Sequence, residues 1–300
     1  SRFGIKKIFI TTSYNSKKCI EHIEEIQNQL SLDIFTYNEE KSLGECGSLW
    51  KIKNQLYENI IFLNGDLIFS IAFNNLLTFH NRINSDITLV THTSSHPEDS
   101  DLISAPNGIQ VKSIFLKSDN KHSSRKAYLG NAGIALFKKS LLDEISEPNS
   151  INCSSLFHHL VKKSFLKNLK VFSYNTSEYI KDMGTPDRFL EIEKDLKKKF
   201  VLSKNYIYKQ KALFLDRDNT LIKCARGKYI LQENDLIFLD NNISEISKYA
   251  KSFNIVCLIT NQPQISMGYL SISELDTINS VIVKYCLTKG LKIDVISFCP

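Results

Sequence analysis

Short apolar runs alternate with longer stretches of helical spacing along almost the whole chain, and this alternation restricts the fold more than any other feature. KKIFITT (6–12), DIFTY (33–37), NIIFLNGD (59–66), DITLVTH (86–92), GIQVKSIFL (108–116) and LKVFSYN (169–175) read as strand material. SKKCIEHIEEIQNQL (16–30) places Cys19, Ile20, Ile23, Ile26 and Leu30 at helical spacing. SLWKIKNQL (48–56), AFNNLLTFHNRI (72–83), NAGIALFKKSLLDEI (131–145), LFHHLVKKSFLK (156–167) and TPDRFLEIEKDLKKK (185–199) read as further helices. Pro186 suits the first turn of the last of these. After FVLSKNYIYKQ (200–210) the pattern restarts. KALFL (211–215), NIVCLIT (254–260) and IDVISF (293–298) are strands, and 241–253 and 271–290 are helices, with Gly290 closing the second. Strands that alternate with helices predict an α/β class with mainly parallel sheets. The domains expected are residues 1–199 and 200–300.

Composition narrows the function classes. No apolar run approaches the roughly 18 residues needed to cross a bilayer, and no secretory signal opens the chain. A cytoplasmic protein without membrane partners is expected. The net charge of +6 is shared evenly, +3 from the first two hundred residues and +3 from the last hundred, which argues against a concentrated nucleic-acid face. Seven scattered cysteines without a C-x-x-C pair read as reduced thiols. All seven histidines precede residue 160, so the last third has no imidazole for acid–base work. The strand-like start near Ile5 and the end directly after Val295–Phe298 read as a slice of a longer protein. The sequence sets no oligomeric state.

Asp216 and Asp218 lie at the carboxyl end of KALFL, in DRDNT. Ligands of open parallel sheets bind beyond the carboxyl ends of strands. Two carboxylates at i and i+2 there suit Mg²⁺, with one attacking phosphorus and the other handling the proton of the leaving oxygen. Thr260 and Asn261, at the end of NIVCLIT, supply donors for a phosphoryl group. As a bland alternative, both aspartates are ordinary turn residues. In the first domain, Asp66 closes the strand NIIFL and Asp182 precedes a helix start; together they suit Mg²⁺ against a nucleotide phosphate. Each alone is weak, since NGD is a common turn and Asp182 can serve as a helix cap. Gly44 and Gly47 flank a loop that permits close approach of a planar ligand. His92 with His96 reads as a polar loop rather than a metal site. His158 and His159 are adjacent on a helix and diverge. Lys223 reads as solvated.

DRDNT, LITNQPQISMGY and DVISFCP resemble the haloacid dehalogenase phosphatases, and more narrowly the D-glycero-D-manno-heptose 1,7-bisphosphate phosphatase and histidinol phosphatase group, over about residues 211–300. The resemblance implies a HAD-like Rossmannoid domain with Asp216 as nucleophile, Asp218 as general acid, and Mg²⁺ on both. It also implies Thr260 and Asn261 on the phosphate, and Cys299 as the first ligand of a structural Zn²⁺ loop. Asn219 replaces the glycine usual in the first motif, and Gln264 and Met267 also depart from the pattern.

EEKSLGECGSL, FLNGDLIF, HPEDSDLI, YLGNAGIALF and YIKDMGTPDRFLEIEKDL resemble the sugar-1-phosphate nucleotidyltransferases over about residues 5–195, especially guanylyltransferase-like members fused to a heptose bisphosphate phosphatase. That resemblance implies a nucleotide-diphospho-sugar transferase-like fold with Asp66 and Asp182 binding metal. It places Gly44 and Gly47 near the base, and Asn131 and Gly133 by the sugar. The family's glycine-rich loop precedes the first residue of this chain.

The activity expected is Mg²⁺-dependent hydrolysis of a sugar phosphate, D,D-heptose 1,7-bisphosphate first, through an aspartyl-phosphate. The attached nucleotidyltransferase-like domain would take a nucleoside triphosphate in a full-length form. The alternatives are a non-catalytic ligand-binding remnant and a histidinol-phosphate phosphatase.

Overall fold

The computed structural model describes residues 5, 7–13, 16–27, 29, 33–39, 43–94, 97–106, 108–117, 127–144, 169–225 and 227–300. The expected helix 156–167, with His158 and His159, and also His96, lie outside the described residues. The chain forms two compact units. The first comprises Ser1–Ile61, Phe73–Ile87 and Leu136–Val171; the second comprises Phe62–Ala72, Thr88–Ala135 and Phe172–Pro300.

In the first unit, β1 (Lys7–Thr12) and β2 (Asp33–Asn38) pair in parallel, from Lys7 opposite Asp33 to Thr12 opposite Asn38, with α1 (Ser16–Gln27) between them in sequence. The helix α2 (Gly44–Ile52) follows. Buried Glu39 anchors its entry by accepting from the Leu43 N–H at 3.0 Å and from the Ser48 hydroxyl. Helix α3 (Phe73–Arg82) buries Phe73, Leu76 and His80, a spacing of one helical face.

The largest sheet uses β3 (Asn59–Leu63), β5 (Ile87–Thr93), β6 (Leu102–Ser104), β7 (Ser113–Phe115), β8 (Leu129–Lys138) and β9 (Val171–Asn175). Its order is β7-β6-β8-β5-β9, with β3 also on β8. The expected helix 131–145 is a strand, β8, followed by a 3-10 turn over Lys139–Glu144. The cause is burial. Ala132 and Ile134 to Phe137 are all buried, so both faces of a central strand are apolar and the run lacks period-two alternation.

In the second unit, β4 (Leu67–Ser70) and β10 (Tyr179–Asp182) form an antiparallel ribbon. The expectation of mainly parallel sheets therefore holds only in part. The β4–β10, β6–β7 and β6–β8 pairs are antiparallel, and within 108–116 only Ser113–Phe115 is strand. Helix α4 (Pro186–Lys197) starts as expected, with Pro186 in its first turn and the Thr185 side chain accepting from the Arg188 N–H.

The short helix α5 (Phe200–Ser203) leads to β11 (Ala212–Asp216), α6 (Asp240–Ala250), β12 (Ile255–Asn261), α7 (Ile272–Thr288) and β13 (Val295–Cys299). The three strands are parallel in the order β11-β12-β13. Leu215, Val256 and Leu258 pack with Ile243 of α6 and with Leu275, Ile278 and Ile282 of α7. Phe214 and Ile259 are exposed, at 64% and 46%. Helix α7 begins with a reciprocal Ser271–Glu274 capping box and ends before Gly290 at φ 78°. Among the described residues, no helix is long and apolar enough to cross a membrane.

Candidate active site

The antiparallel register of β4 and β10 decides where the first pair of carboxylates goes. Leu67 lies opposite Asp182, and the Met183 N–H donates to the Asp66 carbonyl at 2.8 Å. Asp66 and Asp182, far apart in sequence, thus stand at one end of one ribbon. Glu178 holds the other end of that ribbon. Its buried carboxylate accepts from Ala72 N–H at 2.8 Å, Tyr206 N–H at 2.9 Å and the Thr176 hydroxyl at 3.2 Å. Burial raises the Glu178 carboxyl above its ordinary range, against the pull of these three donors.

Asp182 is exposed on one side and engaged on the other. Its Oδ1 accepts from Arg188 Nη1 at 2.5 Å and from the Gly184 N–H at 3.2 Å. A Cβ at Gly184 would lie 3.2 Å from that same oxygen, so glycine leaves room for the approach. Burial alone would raise the Asp182 carboxyl, but the Arg188 and Gly184 bonds outweigh it and hold it below the usual range. Arg188 Nη2 donates to Asp99 Oδ2 at 3.0 Å. Sequence reasoning missed Arg188, Asp99 and Glu178. Only the Thr185-Pro186 helix start pointed to Arg188, since it fixes that residue in the first turn of α4.

Asn131 and Gly133 adjoin the strand end that carries Asp66. The Gly133 N–H donates to Asn131 Oδ1 at 3.0 Å, and the Gly133 carbonyl accepts from the Asn64 N–H at 2.9 Å. Gly133 has φ 70°, and a Cβ there would sit 2.9 Å from Asn64 Nδ2. Both the backbone conformation and the close approach require glycine. Asn64, Asp66, Asn131, Gly133 and Asp182 all belong to the second unit. Gly44 and Gly47 lie in the first unit and are helical, in α2, rather than in the expected loop. His92 belongs to β5, and burial, with Lys292 adding, pushes its imidazole down to about 3, so it is neutral.

At the carboxyl ends of β11, β12 and β13, Asp216, Thr260, Asn261 and Cys299 line one open cavity of about 620 Å³ with Phe214, Ile259 and Phe298. Asp218 does not line it. Its Oδ1 accepts from Arg217 Nε at 3.0 Å, and its Oδ2 from Arg217 Nη2 at 3.2 Å and Gln262 Nε2 at 3.1 Å. Arg217 is almost wholly buried. The Thr260 hydroxyl is buried and accepts from Gln262 Nε2 at 2.7 Å. Among the described residues, no group of three His, Cys, Asp or Glu could hold a metal ion.

The chain belongs to the nucleotidyl transferase family, whose pattern it matches over residues 1–199. It is 24% identical over 196 residues to the mannose-1-phosphate guanylyltransferase of Mycobacterium tuberculosis, covering 64% of this chain and 52% of that protein. It is 25% identical over 191 residues to a mannose-1-phosphate guanyltransferase of Yarrowia lipolytica, covering 62% and 50%. The chain thus spans about half the length of these curated relatives. Its fold is similar to that of the inositol-1-phosphate CTP transferase from T. maritima, with TM-score 0.52, 16% identity, and coverage of 65% of this chain and 77% of that one.

These comparisons overturn the hydrolase reading. The matched family and the named relatives are nucleotidyltransferases, not phosphoric monoester hydrolases, so neither a heptose bisphosphate phosphatase nor a histidinol phosphatase is retained. The geometry gives a physical reason. The i, i+2 pair is split, with Asp216 on the open cavity and Asp218 committed to Arg217 and Gln262.

Proposed function

We propose that the domain carried by residues 1–199 transfers a nucleotidyl group from a nucleoside triphosphate to a sugar 1-phosphate. The sugar phosphate oxygen attacks the α-phosphorus, the bond to the β-phosphate breaks, and diphosphate leaves. The observation that carries this reading is the ribbon end, where Asp182 stands opposite Leu67, next to Asp66, beside Asn64, Asn131 and Gly133. Two carboxylates offering hard oxygens suit Mg²⁺, which takes one or two protein carboxylates plus substrate phosphates. Asp66 and Asp182 would hold it, and when bound it offsets negative charge on the phosphates. Asn131 and Gly133 are assigned to the sugar on the family resemblance, with the Asn131 amide fixed by the Gly133 N–H at 3.0 Å. Gly44 and Gly47 are assigned to the nucleotide base on the family resemblance alone. The names of the relatives make GTP and mannose 1-phosphate the first pair to test.

For residues 200–300 we propose a Rossmannoid scaffold of the haloacid dehalogenase type, without hydrolysis. Its support is the parallel β11-β12-β13 order with its own apolar core.

The test is diphosphate release from each of the common nucleoside triphosphates with mannose, glucose or heptose 1-phosphate and Mg²⁺, alongside calorimetric titration of each ligand. The expected result is binding of at least one pair, weakened in Asp66→Asn and Asp182→Asn, and turnover once the family's glycine-rich loop is part of the chain tested. Binding of neither substrate by the wild type would overturn the proposal.

A further inference from the structure

The carboxylate assigned to the metal is already occupied by a cation of the chain itself. Arg188 Nη1 lies 2.5 Å from Asp182 Oδ1, while Nη2 of the same guanidinium lies 3.0 Å from Asp99 Oδ2. The guanidinium therefore bridges two carboxylates from separate elements, β10 and the 3-10 turn Pro97–Asp99.

Its placement is built in from the backbone outward. The Thr185 side chain caps α4 at the Arg188 N–H. Lys181 of β10 donates to Glu191 at 2.6 Å and to Asp195 at 3.0 Å, and the Tyr179 hydroxyl donates to Asp195 at 2.8 Å. These three bonds fasten α4 along β10, so the first turn of the helix faces the strand end that carries Asp182. Arg188 is only 23% exposed, against 42% for Asp182 and 57% for Asp99, which shields its pairing from water more than a free surface pair.

Two cations cannot both take full benefit from Asp182 Oδ1. A divalent ion on Asp182 and the guanidinium on its Oδ1 repel each other, so entry of the ion weakens the Arg188 bond. Asp99 gives it somewhere to stay, because the forked guanidinium can keep Nη2 on Asp99 while Nη1 lets go. The freed Nη1 then points a donor toward the site, where an anionic phosphoryl group would accept it.

We propose that Arg188 is a resident counter-ion that lowers the affinity of the empty site for a divalent cation, with Asp99 as its retaining partner. Arg188 is thus a positioning residue, acting through Asp182. The inference rests on the assignment of Asp66 and Asp182 as metal ligands.

The experiment titrates the full chain with Mn²⁺ alone and counts free ion by electron paramagnetic resonance, with folding of each variant checked by circular dichroism. Arg188→Gln is expected to bind Mn²⁺ about tenfold more tightly than wild type, as removal of one opposing charge would do. Asp99→Asn, which leaves the guanidinium on Asp182 alone, is expected to bind it several-fold more weakly. The double variant should match Arg188→Gln. Generic structural damage does not tighten ion binding, so the gain separates this role from a packing role. Asp66→Asn and Asp182→Asn test the underlying assignment, and both should lose the ion. If they lose it but Arg188→Gln binds no more tightly than wild type, the counter-ion role is overturned and the metal assignment stands. If wild type binds no Mn²⁺, or the two aspartate variants bind it unchanged, the metal assignment fails and takes the inference with it.

Discussion

Asp276 of α7 offers the sharpest test of the packing in the second unit. It lines a cavity of about 320 Å³ with Ser104, Ser113, Phe115, Ser273 and Thr277. Burial pushes its carboxyl up from 3.8 to about 6, and the hydrogen bond with Ser104 opposes only part of that rise. A folded-state value above the unfolded one means that the native protein binds this proton more tightly. The contribution of Asp276 is therefore fully present below about pH 4 and is lost as pH rises through about 6. At about 1.4 kcal/mol per tenfold change in proton affinity, the upper limit is about 3 kcal/mol. Asp276→Asn keeps the shape and removes the charge. At pH 7.5 it should be more stable than wild type by about 1–3 kcal/mol, and the gap should close toward pH 4. Urea titrations followed by circular dichroism at pH 4.5, 6 and 7.5 measure this, and charges elsewhere cancel in the difference. A gap that does not change with pH, or a variant less stable than wild type at pH 7.5, refutes the reasoning.

Two further outcomes follow from single residues. Gly133→Ala should cost about 2–3 kcal/mol, because alanine at φ 70° is strained and its Cβ would press within 2.9 Å of Asn64 Nδ2; urea unfolding reads it directly. Glu178→Ala strips the acceptor from the Ala72 and Tyr206 N–H groups and the Thr176 hydroxyl, and should cost about 3 kcal/mol or more. Glu178→Gln, which keeps one acceptor oxygen, should fall between that variant and wild type in the same assay.

Much of the element order was legible because local periodicity and helix ends are local properties. The Thr185-Pro186 start of α4, the Gly290 end of α7 and the strands before Asp66 and Asp216 all follow from neighbouring residues. The misread segment 131–145 failed for a nonlocal reason. A strand buried on both faces has no alternation to display, and only its neighbours β5, β6 and β3 make it a strand. Gly44 and Gly47 failed differently. Glycine permits a loop without requiring one, and here buried Glu39 holds the Leu43 N–H at the start of a helix instead.

The two aspartate pairs show why spacing is a poor guide to chemistry. Asp216 and Asp218 are two residues apart, and that proximity suggested a shared cation. Yet Arg217 lies between them in sequence, is buried, and spends its guanidinium on Asp218, so a chain neighbour has neutralised one member of the pair. Asp66 and Asp182 have no sequence proximity. Strand register brings them to one ribbon end, and Asp182 is countered by an arginine whose fork has a second carboxylate to retain it. What separates a site from a turn is thus the counter-charge, and in particular whether it can leave. Among the described residues, Arg217 is enclosed and meets no second carboxylate, whereas Arg188 has Asp99. On the proposed assignment, the amino-terminal pair would open to a phosphate-bound cation, whereas Asp218 stays committed to Arg217 and Gln262.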